Sequence, residues 1–290
     1  MNDLSSILTC NMDQYADDST LTATGKTAAI IGENLEVNCA IVSNWMVENQ
    51  LKLNADKTHI LTLGTQERLS KPGYKVSITM DGYALEESPD KSETLLGIEI
   101  DSNLKWHNQI AKLLQKLKKR LAGLAHIKFV LPYHLRKIVS EGMFNSVLVY
   151  CLPLHGGCDL GEIRDLQILQ NRAAQLVTHS PHRAVRKPMY DRLEWLTVNQ
   201  LVRYHTLLAV YRIRMSREPE YLAAGLCNDN KFGKIIVQNT RLSLAKKSFV
   251  IRGACNWNAL PVQIRSLTKI GVFKSELKTW IKLHVPRFLD

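Results

Sequence analysis

The stretch Gln14-Tyr15-Ala16-Asp17-Asp18-Ser19-Thr20 has the plainest chemical content in the chain. Two adjacent carboxylates follow an aromatic and a small residue, with apolar Met12 and Leu21 on either side. Asp suits tight turns, so the stretch predicts a β-hairpin over 5–23 with both acids at its tip. Neighbouring side chains on a strand point to opposite faces, so one Asp can face a groove while the other is held at its edge. Such a pair repels itself unless a cation neutralises it. Mg²⁺ fits, because it takes one or two carboxylates together with substrate phosphates. A two-metal site of this kind clamps the attacking and leaving oxygens in phosphoryl or nucleotidyl transfer.

A second constellation is cationic. Residues 102–140 hold nine Lys/Arg and no Asp/Glu. An ordinary solvated helix mixes both signs, since opposite charges at i,i+4 support it and like charges oppose it. A one-sign run favours a surface that tracks phosphates. Ile110, Leu113, Leu114, Leu117, Leu121 and Leu124 recur at helical spacing, and Lys112, Lys116, Lys119 and Arg120 fall largely on the other face. His155-x-x-Cys158 and His179-x-x-His182 have zinc-like local spacing. A helix between them would be about 27 Å long at about 1.5 Å per residue. Zinc ligands converge to about 2 Å from one ion, so an intact helix keeps the pairs apart. The chain has no G-x-S-x-G, no phosphate-binding G-x-x-x-x-G-K-[ST] and no G-x-G-x-x-G.

The elements that carry these residues follow from periodicity. A helix is predicted over 27–51, with Ile30, Ile31, Leu35, Val37, Ile41, Val42, Trp45 and Met46 as its apolar positions. Residues 58–64, 74–80 and 94–101 read as strands of a small mixed sheet, with turn signals at Lys71-Pro72-Gly73 and Asp81-Gly82. From Asp101–Asn103 onward the pattern is helical. A helix opens at Pro132 and runs to about Tyr150, and His155 to Asp159 form a loop. Further helices are predicted at 161–178, 197–215 and 270–284. A short β segment is expected at Ile235–Val237 and a Trp-containing loop at 255–261. The expected class is α+β, with parts at 1–103, 104–180 and 181–290.

The motifs also resemble a known family. Tyr15-Ala16-Asp17-Asp18 is similar to the catalytic box of reverse transcriptases, and Asn2-Asp3-Leu4 resembles the run before it. Leu51-Lys52-Leu53-Asn54-Ala55-Asp56-Lys57-Thr58 resembles the next polymerase motif. Leu96-Gly97-Ile98-Glu99-Ile100-Asp101 through Leu104-Lys105-Trp106 resembles the strand-to-thumb segment. Trp257-Asn258-Ala259-Leu260-Pro261, Ile264-Arg265 and Phe273-Lys274 resemble the tail. Four blocks in order cover nearly the whole chain, which resembles the C-terminal palm and thumb of non-LTR retrotransposon reverse transcriptases of the jockey-like type.

That resemblance implies RNA-directed DNA synthesis, in which a primer 3′-hydroxyl attacks the α-phosphate of a nucleotide at a two-Mg²⁺ site. Asp17 would be the principal metal ligand and Asp18 the secondary one. Tyr15 would pack near the primer end, and Lys57 would donate a proton to pyrophosphate. Lys112, Lys116, Lys119 and Arg120 would grip the template–primer duplex, so the implied partners are an RNA template and a DNA primer. The family uses a third carboxylate from a strand well upstream of the box, and only 14 residues precede Tyr15. Asp3 and Asp13 do not match that position. Met1 falls where the family pattern runs on from upstream sequence. The chain alone is therefore expected to be a truncated polymerase without activity, or alternatively a non-enzymatic nucleic-acid-binding remnant.

Composition agrees with a globular protein of this kind. At 290 residues and 45% hydrophobic content the chain can bury two cores. The net charge of +11 is uneven: residues 1–103 hold 7 Lys/Arg against 16 Asp/Glu, and 104–290 hold 31 against 11. An acidic part joined to a strongly basic one suits metal chemistry on one side and a polyanion on the other. Six cysteines without a C-x-x-C pair fit a reduced, intracellular setting, nucleus or cytoplasm. No run reaches the roughly 18–20 apolar residues of a membrane helix.

Overall fold

The computed structural model describes residues 3–54, 57–71, 74, 76–80, 82–85, 87 and 90–286. Residues 1–104 form one compact unit and 105–290 another. Among the described residues no helix is long and apolar enough to cross a membrane.

The first unit is α+β. Its elements are α1 (Leu4–Ile7), β1 (Asn11–Tyr15), β2 (Asp18–Thr22), α2 (Ala28–Glu48), α3 (Gln66–Leu69), β3 (Ile78–Met80), β4 (Tyr83–Leu85), β5 (Ser92–Leu95) and β6 (Ile98–Asp101). The strands make three separate antiparallel hairpins, β1–β2, β3–β4 and β5–β6, where one mixed sheet was expected. The acidic hairpin is shorter than 5–23. Ser6 donates to the Asp3 carbonyl from both its amide (3.1 Å) and its Oγ (2.6 Å), which winds 4–7 into a helical turn. Residues 58–64 form no strand; Ile60 makes one bridge to Glu87. Residues 94–101 are not a single strand either. The chain reverses at Leu96-Gly97, whose φ values of 49° and 78° are the positive pair a two-residue hairpin turn needs. Of the expected turn residues, Pro72, Gly73 and Asp81 lie outside the described residues.

Thr27 caps α2, its side chain accepting from the Ile30 amide. The buried stripe of α2 runs through Ala28, Gly32, Asn38, Cys39, Ser43 and Trp45. Small residues dominate it; a Cβ on Gly32 would be in ordinary contact, 4.0 Å from the carbonyl oxygen of Ser77 just before β3. Ile31, Leu35 and Val42 pack on the same core, beside Ile60, Val76, Ile78, Met80 and Leu85. Ile30 and Val37, expected inward, are 50% and 57% exposed. The 3.6-residue period assigns the face through the small residues, and these two β-branched residues fall off it.

The second unit is helical. It comprises α4 (His107–Ile127), α5 (Tyr133–Ser140), a π turn at Glu141–Asn145, α6 (Ser146–Val149), α7 (Leu152–His155), α8 (Leu160–Thr178), α9 (Arg186–Leu193) and α10 (Val198–Ser216). α11 (Glu220–Leu226), α12 (Ser243–Lys247), α13 (Phe249–Asn258), α14 (Val262–Arg265) and α15 (Ile270–His284) follow. The expected apolar face of α4 is buried at Ile110, Leu113, Leu117, Leu121 and Leu124, with Leu114 half-buried. It packs on Leu166, Leu169, Ala173 and Val177 of α8. Asp159 starts α8 with a reciprocal capping box to Glu162.

Helix α10 joins two cores. Val198 and Val202 belong to the α4/α8 core, whereas Leu207, Val210 and Tyr211 belong to a second core with Trp257, Phe273, Leu277 and Ile281. Tyr211 stacks on Phe273 at 4.1 Å between centroids. The loop expected around Trp257 is instead the end of α13, because Pro261 stops the helix only after Trp257 has been buried. The β segment at 235–237 reduces to one bridge, Asp229 to Ile235.

Candidate active site and nucleic-acid interface

The β1–β2 ladder runs from Asn11↔Thr22 to Tyr15↔Asp18, which leaves Ala16 and Asp17 as a two-residue turn. Asp17 is in the turn itself, and Asp18 is the first residue of the returning strand. Ala16 has φ 54°, a conformation that costs an L-residue about 1–2 kcal/mol. Both carboxylates are exposed, and neither makes a hydrogen bond or ion pair among the described residues. Tyr15 is 67% exposed. The tip therefore presents two free anionic groups and an aromatic ring to solvent. Hard carboxylate oxygens without a protein partner suit Mg²⁺, which would leave its remaining positions to water and substrate phosphate. Among the described residues no third His, Cys, Asp or Glu converges on the pair.

What holds this hairpin was not legible in the motif. Asn38, fully buried on α2, accepts from the Thr9 amide (2.8 Å) and the Cys10 amide (3.3 Å) through Oδ1. Its Nδ2 donates to the Thr9 hydroxyl (2.9 Å) and the Asn34 carbonyl (2.7 Å). Both amides lie just before β1, so Asn38 fixes where the strand enters. A further tie at the same end is Trp45 Nε1, donating to Asp3 at 3.2 Å and holding the Asp3 carboxyl below its usual range. A buried Asn four residues from another Asn on an otherwise apolar helix face is the signal that could have found it.

Lys57 is exposed, and its amide donates to the Asn54 carbonyl at 3.1 Å. Ala55 and Asp56 of the same motif lie outside the described residues, as does Asn2. The Leu96-to-Asp101 block forms the β5–β6 hairpin. Its Glu99 is buried and accepts from Ser92 and Thr94, each at 2.7 Å.

On α4, Lys112, Lys116, Lys119 and Arg120 are all exposed and lie on one flank of the buried Leu117. Other basic residues have structural work. Arg214 donates to the Leu226 carbonyl (2.6 Å) and makes a two-point contact with Asp229 (2.9 and 2.7 Å). Arg136 donates to the Val177, Lys128 and Leu131 carbonyls at 2.6–3.1 Å.

The intact helix α8 separates His155 and Cys158 from His179 and His182. His155 is buried, and one ring nitrogen lies 3.1 Å from the Tyr150 carbonyl. Burial pushes the Cys158 thiol up to about 12. The group with metal-ligand spacing among the described residues is instead His107, Asp159 and Glu162. Its members are already engaged. His107 Nδ1 lies 2.6 Å from Glu162, Glu162 completes the α8 cap, and Asp159 accepts from Lys247 at 2.6 Å.

No family model matches the chain. No solved structure matches it either. A probable RNA-directed DNA polymerase from transposon BS of Drosophila melanogaster is 23% identical over 217 residues, which cover 73% of this chain and 23% of that protein. The matched region thus spans about a quarter of that relative's length. With an exposed carboxylate pair on a hairpin and a cationic helix in hand, this likeness leads to one statement of kinship: the chain is distantly similar to a transposon RNA-directed DNA polymerase.

Proposed function

We propose that the chain is the palm-and-thumb segment of a reverse transcriptase of the non-LTR, jockey-like type. Asp17 and Asp18 supply metal ligands for nucleotidyl transfer, and the Lys112/Lys116/Lys119/Arg120 flank of α4 holds a template–primer duplex. The observation that carries this reading is the pair of solvent-facing carboxylates at the β1–β2 turn, unpartnered among the described residues. A structural acid is normally hydrogen-bonded or paired, as Glu99 and Asp229 are here. Like charges on adjacent residues are tolerable where a divalent cation neutralises them.

The donor set fits Mg²⁺, with Asp17 and Asp18 as its ligands. When bound, the ion would supply charge neutralisation at the reacting phosphate. The chain's own residues do the rest. Tyr15 offers an exposed ring beside the acids for the primer terminus, and Lys57 presents an ammonium that can give a proton to departing pyrophosphate. The exposed cations of α4 neutralise phosphates along the duplex. Among the described residues no third carboxylate converges on the pair, which makes a weak site for two ions, so residues 1–290 bind template–primer and do not extend it.

The test is primer extension on an RNA template with Mg²⁺, run beside duplex binding by anisotropy. The expected result is salt-dependent binding with no extension, and binding unchanged in Asp17→Asn/Asp18→Asn. Efficient incorporation by residues 1–290 would overturn the inactivity, and absence of binding at low salt would overturn the nucleic-acid assignment. A second reading, a non-enzymatic nucleic-acid-binding remnant, is favoured by the charge balance of the second unit, 31 Lys/Arg against 11 Asp/Glu.

A further inference from the structure

Resting on the nucleic-acid reading above, we propose that a groove between the C-terminal halves of α4 and α8 binds an unpaired RNA strand, with Phe129 stacking on a base. The groove has a volume of about 590 Å³, and Lys118, Ala122, Lys128, Phe129, Arg172 and His182 are among the residues that line it. No carboxylate lines it. It is separate from the cationic flank already described. Leu117 is buried, and Lys116 and Lys118 lie about 100° to either side of it round the helix. Lys112, Lys119 and Arg120 go with Lys116, whereas Lys118 and Ala122 face the groove. Helix α4 therefore carries two cationic flanks, and the Lys118 flank borders this concave surface.

Phe129 makes this groove more than a basic patch. Its side chain is 79% exposed, and the next residue, Val130, is 78% exposed. Both side chains are open to a ligand. The loop that carries Phe129 is fixed. The Lys128 carbonyl accepts from Arg136 Nη1 at 3.1 Å and lies 2.7 Å from His179 Nε2. The His179 ring meets Phe129 edge-on at 5.7 Å. Lys128 Nζ sits 4.4 Å from the Phe129 ring centroid. An aromatic ring presented on a rigid loop, ringed by cations and clear of acids, has the chemistry of a base-stacking platform beside a phosphate track. A duplex hides its base faces within the stack, so the ring selects an unpaired strand. The acidic alternative, a carboxylate-rich peptide, would use the cations but give the exposed ring nothing to stack on.

The test is anisotropy of a fluorescein-labelled 12-mer of uridine, an RNA duplex of equal length and a 12-mer of deoxythymidine, on the full chain. Phe129→Ala is expected to weaken uridine 12-mer binding about 5- to 160-fold and to leave duplex binding within about twofold. Lys118→Gln/Lys128→Gln/Arg172→Gln is expected to lower the salt slope for the single strand by about 2, at roughly 0.7 per phosphate contact. Lys118, Phe129 and Arg172 are exposed and Lys128 is half-buried, and an unchanged melting temperature checks that both variants fold. Lys112→Gln/Lys116→Gln/Lys119→Gln/Arg120→Gln is expected to cut duplex binding instead. If Phe129→Ala binds the uridine 12-mer like wild type, or loses duplex equally, the groove assignment falls while the duplex flank stands. Tighter binding of deoxythymidine than of uridine overturns RNA as the occupant. Failure of the wild-type chain to bind any of the three sinks this inference and the function proposed above together.

Discussion

Replacing Asn38 with Ala should loosen the acidic hairpin without touching a single residue of the Tyr15-to-Asp18 turn. Asn38 Oδ1 is the acceptor for the Thr9 and Cys10 amides, and its Nδ2 donates to the Thr9 hydroxyl and the Asn34 carbonyl. Truncation leaves both amides without that acceptor. An unsatisfied buried donor costs about 1–3 kcal/mol. Thr9 is exposed, so water can reach its amide and its share lies at the low end. Cys10 is half-buried and counts for more. Together the loss is about 2–3 kcal/mol. A unit of roughly 100 residues has only about 5–15 kcal/mol to lose. Urea unfolding of the full chain, followed through Trp45 of the first unit, should show the midpoint of that unit falling by about 1–2 M at a slope of about 1–3 kcal/mol/M. Amide exchange at Thr9 and Cys10 should accelerate, and that of α4 should not. Asn38→Asp keeps the acceptor but sets a buried carboxylate oxygen against the Asn34 carbonyl, so it should not recover the loss. A midpoint within about 0.3 M of wild type would refute the idea that this side chain anchors the strand entry.

Other expectations are more local. Gly156→Ala should destabilise the second unit by about 1–3 kcal/mol, because a Cβ there would lie 2.6 Å from the Leu152 carbonyl oxygen and 2.7 Å from Val202 Cγ1; Gly161→Ala, with nothing within 4 Å, should be neutral or better by thermal melt. Iodoacetamide at pH 8 should label exposed Cys255 well before Cys158 and Cys39, whose thiols burial pushes to about 12 and about 11; mass mapping reads the order. His155 and His205 are held below 6.5 chiefly by burial, so in the folded state they resist protonation that the unfolded chain accepts. Their contribution is full above pH 6.5 and falls as pH drops from there toward their lowered values, so stability of the second unit should decline from pH 7 to 5. His155→Gln/His205→Gln should flatten that decline.

Helices were legible wherever the apolar period ran over several turns, with a capping box at α8 alone of the three below. Those at 107–127, 160–178 and 270–284 follow their leucine, isoleucine and alanine spacing within a residue or two of the expected bounds where bounds were set. The sheet was not legible. Short β-branched runs at 58–64 and 94–101 do not say whether a partner strand exists, and Leu96 in a left-handed turn breaks the usual Asn-Gly signature of a hairpin. The α2 face was misjudged at Ile30 and Val37 because the packing contact is made by Gly32, Cys39 and Ser43, which carry little hydrophobic weight. The acidic turn was visible from the local sequence, since adjacent Asp residues behind a small residue favour a bend. Asn38 was hidden because its role depends on the Thr9 and Cys10 amides, 29 and 28 residues away.

The central claim, that Asp17 and Asp18 form a divalent-cation site, is tested most directly by Mn²⁺ titration of the isotopically labelled chain. Paramagnetic broadening should appear first at the amides of Ala16 to Ser19 and vanish in Asp17→Asn/Asp18→Asn. Broadening that persists in that variant, or that begins instead around His107, Asp159 and Glu162, would contradict it.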